Sequence, residues 1–244
     1  MNKRKQYIII TILLFLLTLI TTGCSSTAHG GNRGPEDFDA FINQVFINEV
    51  QKDTLTLNFS LSNPENYNIT EPDVTLGHYS VSYLGEQLAE YENYLEALKD
   101  FDYEALSDSQ KLSYDILKED LTLQLTSGDF ILYNECLGPT TGTQAQLPVL
   151  LAEYYFDDKE DIDTYIQILP QVYDYFEEIS DFEREKSAAG LFMNDNVADS
   201  IIDQCNSFIK DKENNYLIEL FDDKVANFKG LTKDEIDDYQ KANK

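Results

Sequence analysis

The segment "TLTLNFSL", Thr54 to Leu61, decides the fold class of this chain. Its apolar residues alternate strictly at Leu55, Leu57, Phe59 and Leu61, the period of a half-buried strand. A strand needs a partner, because its backbone N–H and C=O groups must each find a hydrogen bond. No second convincing strand pattern exists elsewhere in the 244 residues. The segment therefore reads as irregular or helical chain, and the fold as all-α.

The flanking sequence agrees. Pro35 opens a helix whose apolar side carries Phe38, Phe41, Ile42, Val45, Phe46 and Val50. "NPENYNITEPD", from Asn63, is a loop punctuated by two prolines. From Ser80 to about Asp100, Val81, Leu84, Leu88, Tyr91, Leu95 and Leu98 step by threes and fours. That seam is too short for a free coiled coil and predicts a helix packed within a domain. "SDSQ" at Ser107 is a capping box, with Gln110 at its third position, and its helix shows Tyr114, Leu117, Leu121 and Leu125. The link between the two is short, so they should form an antiparallel hairpin.

"GPTTGTQAQLP" interrupts the helices at Gly138, Pro139, Gly142 and Pro148, and a helical pattern resumes at Val149. A longer one opens near Asp161 and runs through Ile162, Tyr165, Ile166, Leu169, Tyr173, Phe176 and Ile179. Pro170 lies inside it and predicts a kink. Gly190 turns the chain, and a cap at Asn194 or Asn196 starts a helix bearing Val197, Ile201, Cys205, Phe208 and Ile209. Thr232 and Glu235 form another capping box, and the helix they start reaches Lys244 with no closing Gly or Pro. A frayed terminal helix and a continuation beyond Lys244 are both consistent with that ending.

The N-terminus carries Lys3, Arg4 and Lys5, then an uncharged, largely apolar run from Tyr7 to Ile20. About 14 residues is short of the roughly 20 that a spanning helix needs. A basic start, a short apolar run and small residues read as a secretory leader over residues 1–23. The small residues precede a cysteine in "TTGC". That arrangement resembles the bacterial lipobox, with Cys24 as the lipid-attachment residue, although Thr21 stands where the pattern prefers Leu. The Gly-rich "SSTAHGGNRG" that follows makes residues 24–34 a flexible tether, and 35–244 the helical domain. The expected localisation is extracytoplasmic, at the cell membrane, through the lipid.

The formal charge is -27, and loss of the leader makes the chain more acidic still. Phosphate backbones are bound by Lys and Arg, so nucleic acid is excluded as a partner. Anionic headgroups would repel this surface, which leaves anchoring to the lipid. Three cysteines are present. Cys205 lies on an apolar stripe and reads as a small core residue. A bridge from Cys136 to Cys205 is chemically open in an oxidising compartment. The two histidines, His29 and His78, are far apart in sequence. Hence no His-Glu-x-x-His zinc motif exists, nor a zinc-knuckle cysteine pair, a phosphate loop or a Gly-x-Ser-x-Gly elbow. "DDKEDIDTY" lacks the Gly and terminal Glu of a calcium loop and reads as a helix N-terminus. His78, after Gly77, reads as an ordinary loop histidine. No catalytic, cofactor-binding or metal residue is assigned.

Five pieces in order carry a resemblance: "FINEVQKDTLTLNFSLSNPENYNI", "VTLGHYS", "LSDSQKLSYDILKEDL", "TGTQAQLPVLLAEYYFDDKEDIDTYIQIL" and "GLFMNDNVADSIIDQCNSFI". Their succession resembles the N-terminal half of the bacterial domain of unknown function 885 family, from about Phe38 to Lys244. The resemblance implies a lipoprotein and relatives that are all-helical zinc metallopeptidases of the carboxypeptidase Taq kind. It places their zinc ligands and catalytic Glu in a C-terminal half, so none maps onto a residue here and zinc is expected only in that half. It implies that this chain is a truncated member.

The expected fold is an irregular array of antiparallel helices, the N-terminal part of a larger zincin-like fold. The expected function is the substrate-side portion of an extracytoplasmic metallopeptidase-like lipoprotein, inactive alone. Its partners would be a peptide substrate and a separately encoded C-terminal half. The alternative is a self-sufficient lipoprotein binding module for a peptide or cell-wall component.

Overall fold

The computed structural model describes residues 33–244. The leader, Cys24 and the tether up to residue 32 lie outside the described residues. Within the described residues ten α-helices follow one another: α1 Pro35–Val50, α2 Thr54–Ser60, α3 Val81–Leu98, α4 Asp108–Ser127, α5 Thr143–Glu153, α6 Lys159–Ile168, α7 Gln171–Ala188, α8 Asp195–Ile209, α9 Tyr216–Ala226 and α10 Lys233–Ala242. The described residues contain no strand, so the fold is all-α. No described helix is long and apolar enough to cross a membrane.

The alternating segment is the short helix α2. Asp53 caps it, its carboxylate accepting from the Thr56 N–H at 2.8 Å. Residues two apart on a helix point about 200° apart. Leu55 therefore enters one apolar cluster with Leu147, Leu151, Ile162 and Phe221, while Leu57 enters another with Val50 and Ile69. The alternation records a helix wedged between two cores. Phe59, a turn beyond Leu55, is 78% exposed. Residues 74–76, which belong to no helix or strand, pair with α2 and α7 through side chains and single backbone bonds. Thr54 exchanges hydrogen bonds with Thr75, and the Gln171 amide joins Val74 O and Leu76 N.

Helix starts follow the sequence signals. Ser107 with Gln110, and Thr232 with Glu235, form complete capping boxes. Asn194 caps α8. Helices α3 and α4 form the expected hairpin, closed over α1 by Phe38, Leu98, Phe101, Leu106 and Leu121. Arg33, just before α1, is held by backbone hydrogen bonds to Asp100 and Asp102.

Three expectations need correction. The long helix is two, α6 and α7, meeting at Leu169–Pro170, whose backbones stay helical. It opens at Lys159, because Asp158 is the cap and Asp161 only the reciprocating third residue. Helix α5 starts at Thr143 and contains Pro148. Cys205 is exposed, not core; α8 has one buried edge at Ile201 and an open side at Ile202 and Ile209.

Helix α9 was not foreseen. Its Phe221 and Val225 sit at the centre of the largest core. Its Lys224 donates to the carbonyls of Ala152 and Tyr154 at the end of α5, which satisfies acceptors that a helix end leaves open.

Candidate functional site

The candidate site lies where α7, α8 and the segment before α5 meet. Helix α7 turns Ile179, Phe182, Glu183 and Lys186 to the same inner side, at the three- and four-residue spacing of one helical face. Two of these four are charged. Lys186 is completely buried, and Glu183 is 6% exposed. Such burial is costly unless the charges are paired and hydrogen-bonded.

The segment Asn134–Leu137 supplies most of the partners. Lys186 Nζ donates to Asn134 O at 2.8 Å and lies 3.2 Å from the Glu135 carboxylate and 3.6 Å from Glu183 Oε1. The Cys136 thiol donates to the same Glu183 Oε1 at 3.2 Å. Burial, and then the Glu183 carboxylate, push this thiol up to about 12, so it stays protonated as a donor. A nucleophilic cysteine needs the opposite shift. Glu183 Oε2 is buried and has no hydrogen-bond partner.

Glu183 also lines a groove of about 490 Å³ between α7 and α8. The buried lining residues are Ile179, Glu183 and Ile201, and Phe192 and Ile202 form an exposed apolar rim. Arg184 stands at the rim and is paired with Asp181. Two local devices hold the groove's shape. Gly190, at φ 75°, ends α7, and the Leu191 N–H donates back to Lys186 O at 2.9 Å, which reverses the chain into α8. On the far side Gln144 bridges Gly138 O and Gln204 of α8, and Gln204 reaches Pro139 O. Gly142 permits that loop, since a Cβ there would lie 2.0 Å from Gly138 N.

The other residues singled out in the sequence lie elsewhere. His78 meets Glu178 at 2.8 Å on an exposed surface, and the same carboxylate accepts from Tyr79 N. Cys136 and Cys205 are both free. Asp157, Asp158, Glu160 and Asp161 line a second groove of about 470 Å³. Asp158 and Asp161 there are occupied in capping α6. Among the described residues no three His, Cys, Asp or Glu side chains are grouped so as to hold a metal ion. Zinc does not fit the donor set of these residues. The buried network itself was missed in the sequence. Its one signal was a Glu and a Lys placed three apart on the apolar side of "EEISDFEREK".

The family described as "Bacterial protein of unknown function (DUF885)" matches residues 65–244. No curated protein shows significant similarity to the chain. Among solved structures, the chain is similar to a protein from Colwellia psychrerythraea described as a lipoprotein, with a TM-score of 0.70 at 12% identity. The match covers 85% of this chain and 37% of that one, so the chain spans little more than a third of its neighbour's length. At that identity the likeness concerns the fold.

Proposed function

The chain belongs to the bacterial DUF885 family, and on that premise we propose that it is the N-terminal, substrate-side portion of an extracytoplasmic metallopeptidase-like lipoprotein. Cys24 carries the lipid that holds it at the membrane. The zinc-binding chemistry belongs to a C-terminal half, and the chain alone binds peptide without cutting it. The observation that carries this reading is the α7–α8 groove, a largely apolar recess whose buried wall includes a carboxylate with one oxygen unpaired. Apolar recesses with a few polar groups are the usual form of a ligand site. The description of the Colwellia psychrerythraea protein as a lipoprotein supports the anchoring.

A second reading, a self-sufficient binding module for a peptide or cell-wall component, has its own support. The groove is assembled wholly from residues 137–202 of this chain. One set of measurements separates the readings. The Cys24→Ala variant should leave the membrane fraction and lose the mass of the lipid; unchanged partitioning and mass would overturn the anchoring. Calorimetry with short apolar peptides should show binding without hydrolysis, and loss of binding in Ala198→Trp, which fills the groove. Absence of binding would overturn the substrate-side reading, and turnover abolished by a chelator would overturn the inactivity. Adding the C-terminal half of a family member as a separate chain should tighten peptide binding. Binding indifferent to it would favour the module.

A further inference from the structure

We propose that the α7–α8 groove is selective for a primary ammonium at the end of an alkyl chain, with Glu183 as the residue that receives the ammonium. This rests on the reading above that the groove binds ligands. The argument starts from the unmatched oxygen. An ionised carboxylate is an acceptor only, and here one oxygen holds the Cys136 thiol and lies near Lys186, while the other has no donor. A buried acceptor left unpaired is costly, more so when charged, so a ligand that supplies a donor gains that back. That oxygen is shut off from solvent as it stands, but Glu183 lines the groove and the terminal torsion of a Glu side chain is soft, so binding requires the carboxylate to rotate toward the ligand.

The charges around that oxygen choose the donor. Glu183 and Glu135 carry two negative charges and Lys186 one positive; Glu183 and Lys186 are buried, whereas the Glu135 side chain is 61% exposed and partly screened by solvent. The rim adds Arg184, which Asp181 neutralises. The formal count is therefore one negative charge in excess, part of it facing solvent at Glu135, and it favours a bound cation over an anion. A carboxylate or phosphate would meet an acceptor and be repelled. A hydroxyl could donate but would leave the excess charge in place. Most of the remaining wall accepts hydrocarbon, through Ile179, Ile201, Ile202, Phe192 and Ala198, with Ser180 and Ser187 as its uncharged polar members. An alkyl chain ending in an ammonium satisfies both parts, whether it comes as a free alkylamine or as a lysine side chain.

The test is calorimetry on the folded chain with n-hexylamine, n-hexanol, hexanoate and Nα-acetyl-lysine amide. Hexylamine should bind about tenfold or more tighter than hexanol, and hexanoate should bind most weakly. Glu183→Gln should remove the preference for the amine. Ala198→Trp, which leaves the carboxylate network untouched, should remove binding of every probe. If Glu183→Gln does not fold, as circular dichroism would show, the ranking on the unaltered protein and the Trp variant still decide. Binding of the lysine amide within about threefold of hexylamine assigns the ammonium to a lysine side chain; binding of hexylamine alone assigns it to a free amine. Equal affinity for hexylamine and hexanol would overturn the ammonium assignment and leave the groove as an apolar site. Failure of all four probes and of apolar peptides would overturn the groove reading as well.

Discussion

The thiol of Cys136 and the carboxylate of Glu183 meet at 3.2 Å in the interior of the protein, and the thiol is the donor. The consequence is a difference in reactivity between the two described cysteines. Cys136 is buried and held protonated, whereas Cys205 is exposed on α8. In native protein at pH 8, iodoacetamide should modify Cys205 first, and Cys136 only on unfolding. Peptide mass spectrometry over a time course reads the order, and equal rates would contradict the buried network.

Lys186 should be costly to remove. Lys186→Met leaves Glu183 without its cation and Asn134 O without its donor. Breaking a buried pair from one side destabilises by about 3–5 kcal/mol. Replacing both, as Glu183→Leu with Lys186→Met, should recover most of that loss, since the isolated charge disappears with its partner. Urea unfolding of the two single variants and the double variant measures the coupling.

The wedge geometry of α2 separates its three apolar residues. Leu55→Ala and Leu57→Ala should each cost about 2–5 kcal/mol, because each fills a different core. Phe59→Ser should change stability by less than about 0.5 kcal/mol, being 78% exposed. A strand would turn all three to one side and make the three costs similar, so the same unfolding series tests the helix itself.

Acid should loosen α10 before the rest. Lys159, and then the Thr232 N–H and hydroxyl, hold the exposed Glu235 carboxyl down at about 2, below the ordinary value of about 4.3. A depressed folded pKa means that the unfolded chain binds more protons in between. The contribution is full above about pH 4.3 and is lost as pH falls toward 2. Hydrogen-exchange protection of the α10 amides, taken relative to the intrinsic rate at each pH, should fall over that window. Glu235→Gln keeps a capping-box residue but not the charge, and should flatten the dependence. An unchanged profile would mean that another group controls this helix.

The sequence by itself determined the all-α class, the starts of α4, α8 and α10, the α3–α4 hairpin and the turn at Gly190. Caps and hairpin links are local: a Ser, Thr or Asn meets a backbone N–H two or three residues on, and spacing alone reveals it. It also showed that no strand could partner Thr54–Leu61. What it could not show was why that segment alternates, because the reason is two cores on opposite sides of a short helix. Cys205 was misplaced for a related reason. An apolar stripe marks a face suited to burial, but the neighbouring elements decide whether that face is covered, and α8 is covered only along Ile201. The candidate site belonged wholly to the tertiary structure. Glu183 and Lys186 read as ordinary charges on a solvated helix until Asn134–Leu137 packs over them. Their meeting partners are about fifty residues away in sequence, and a buried charge is recognisable only when the groups that satisfy it, and the oxygen left without one, have been brought together in space.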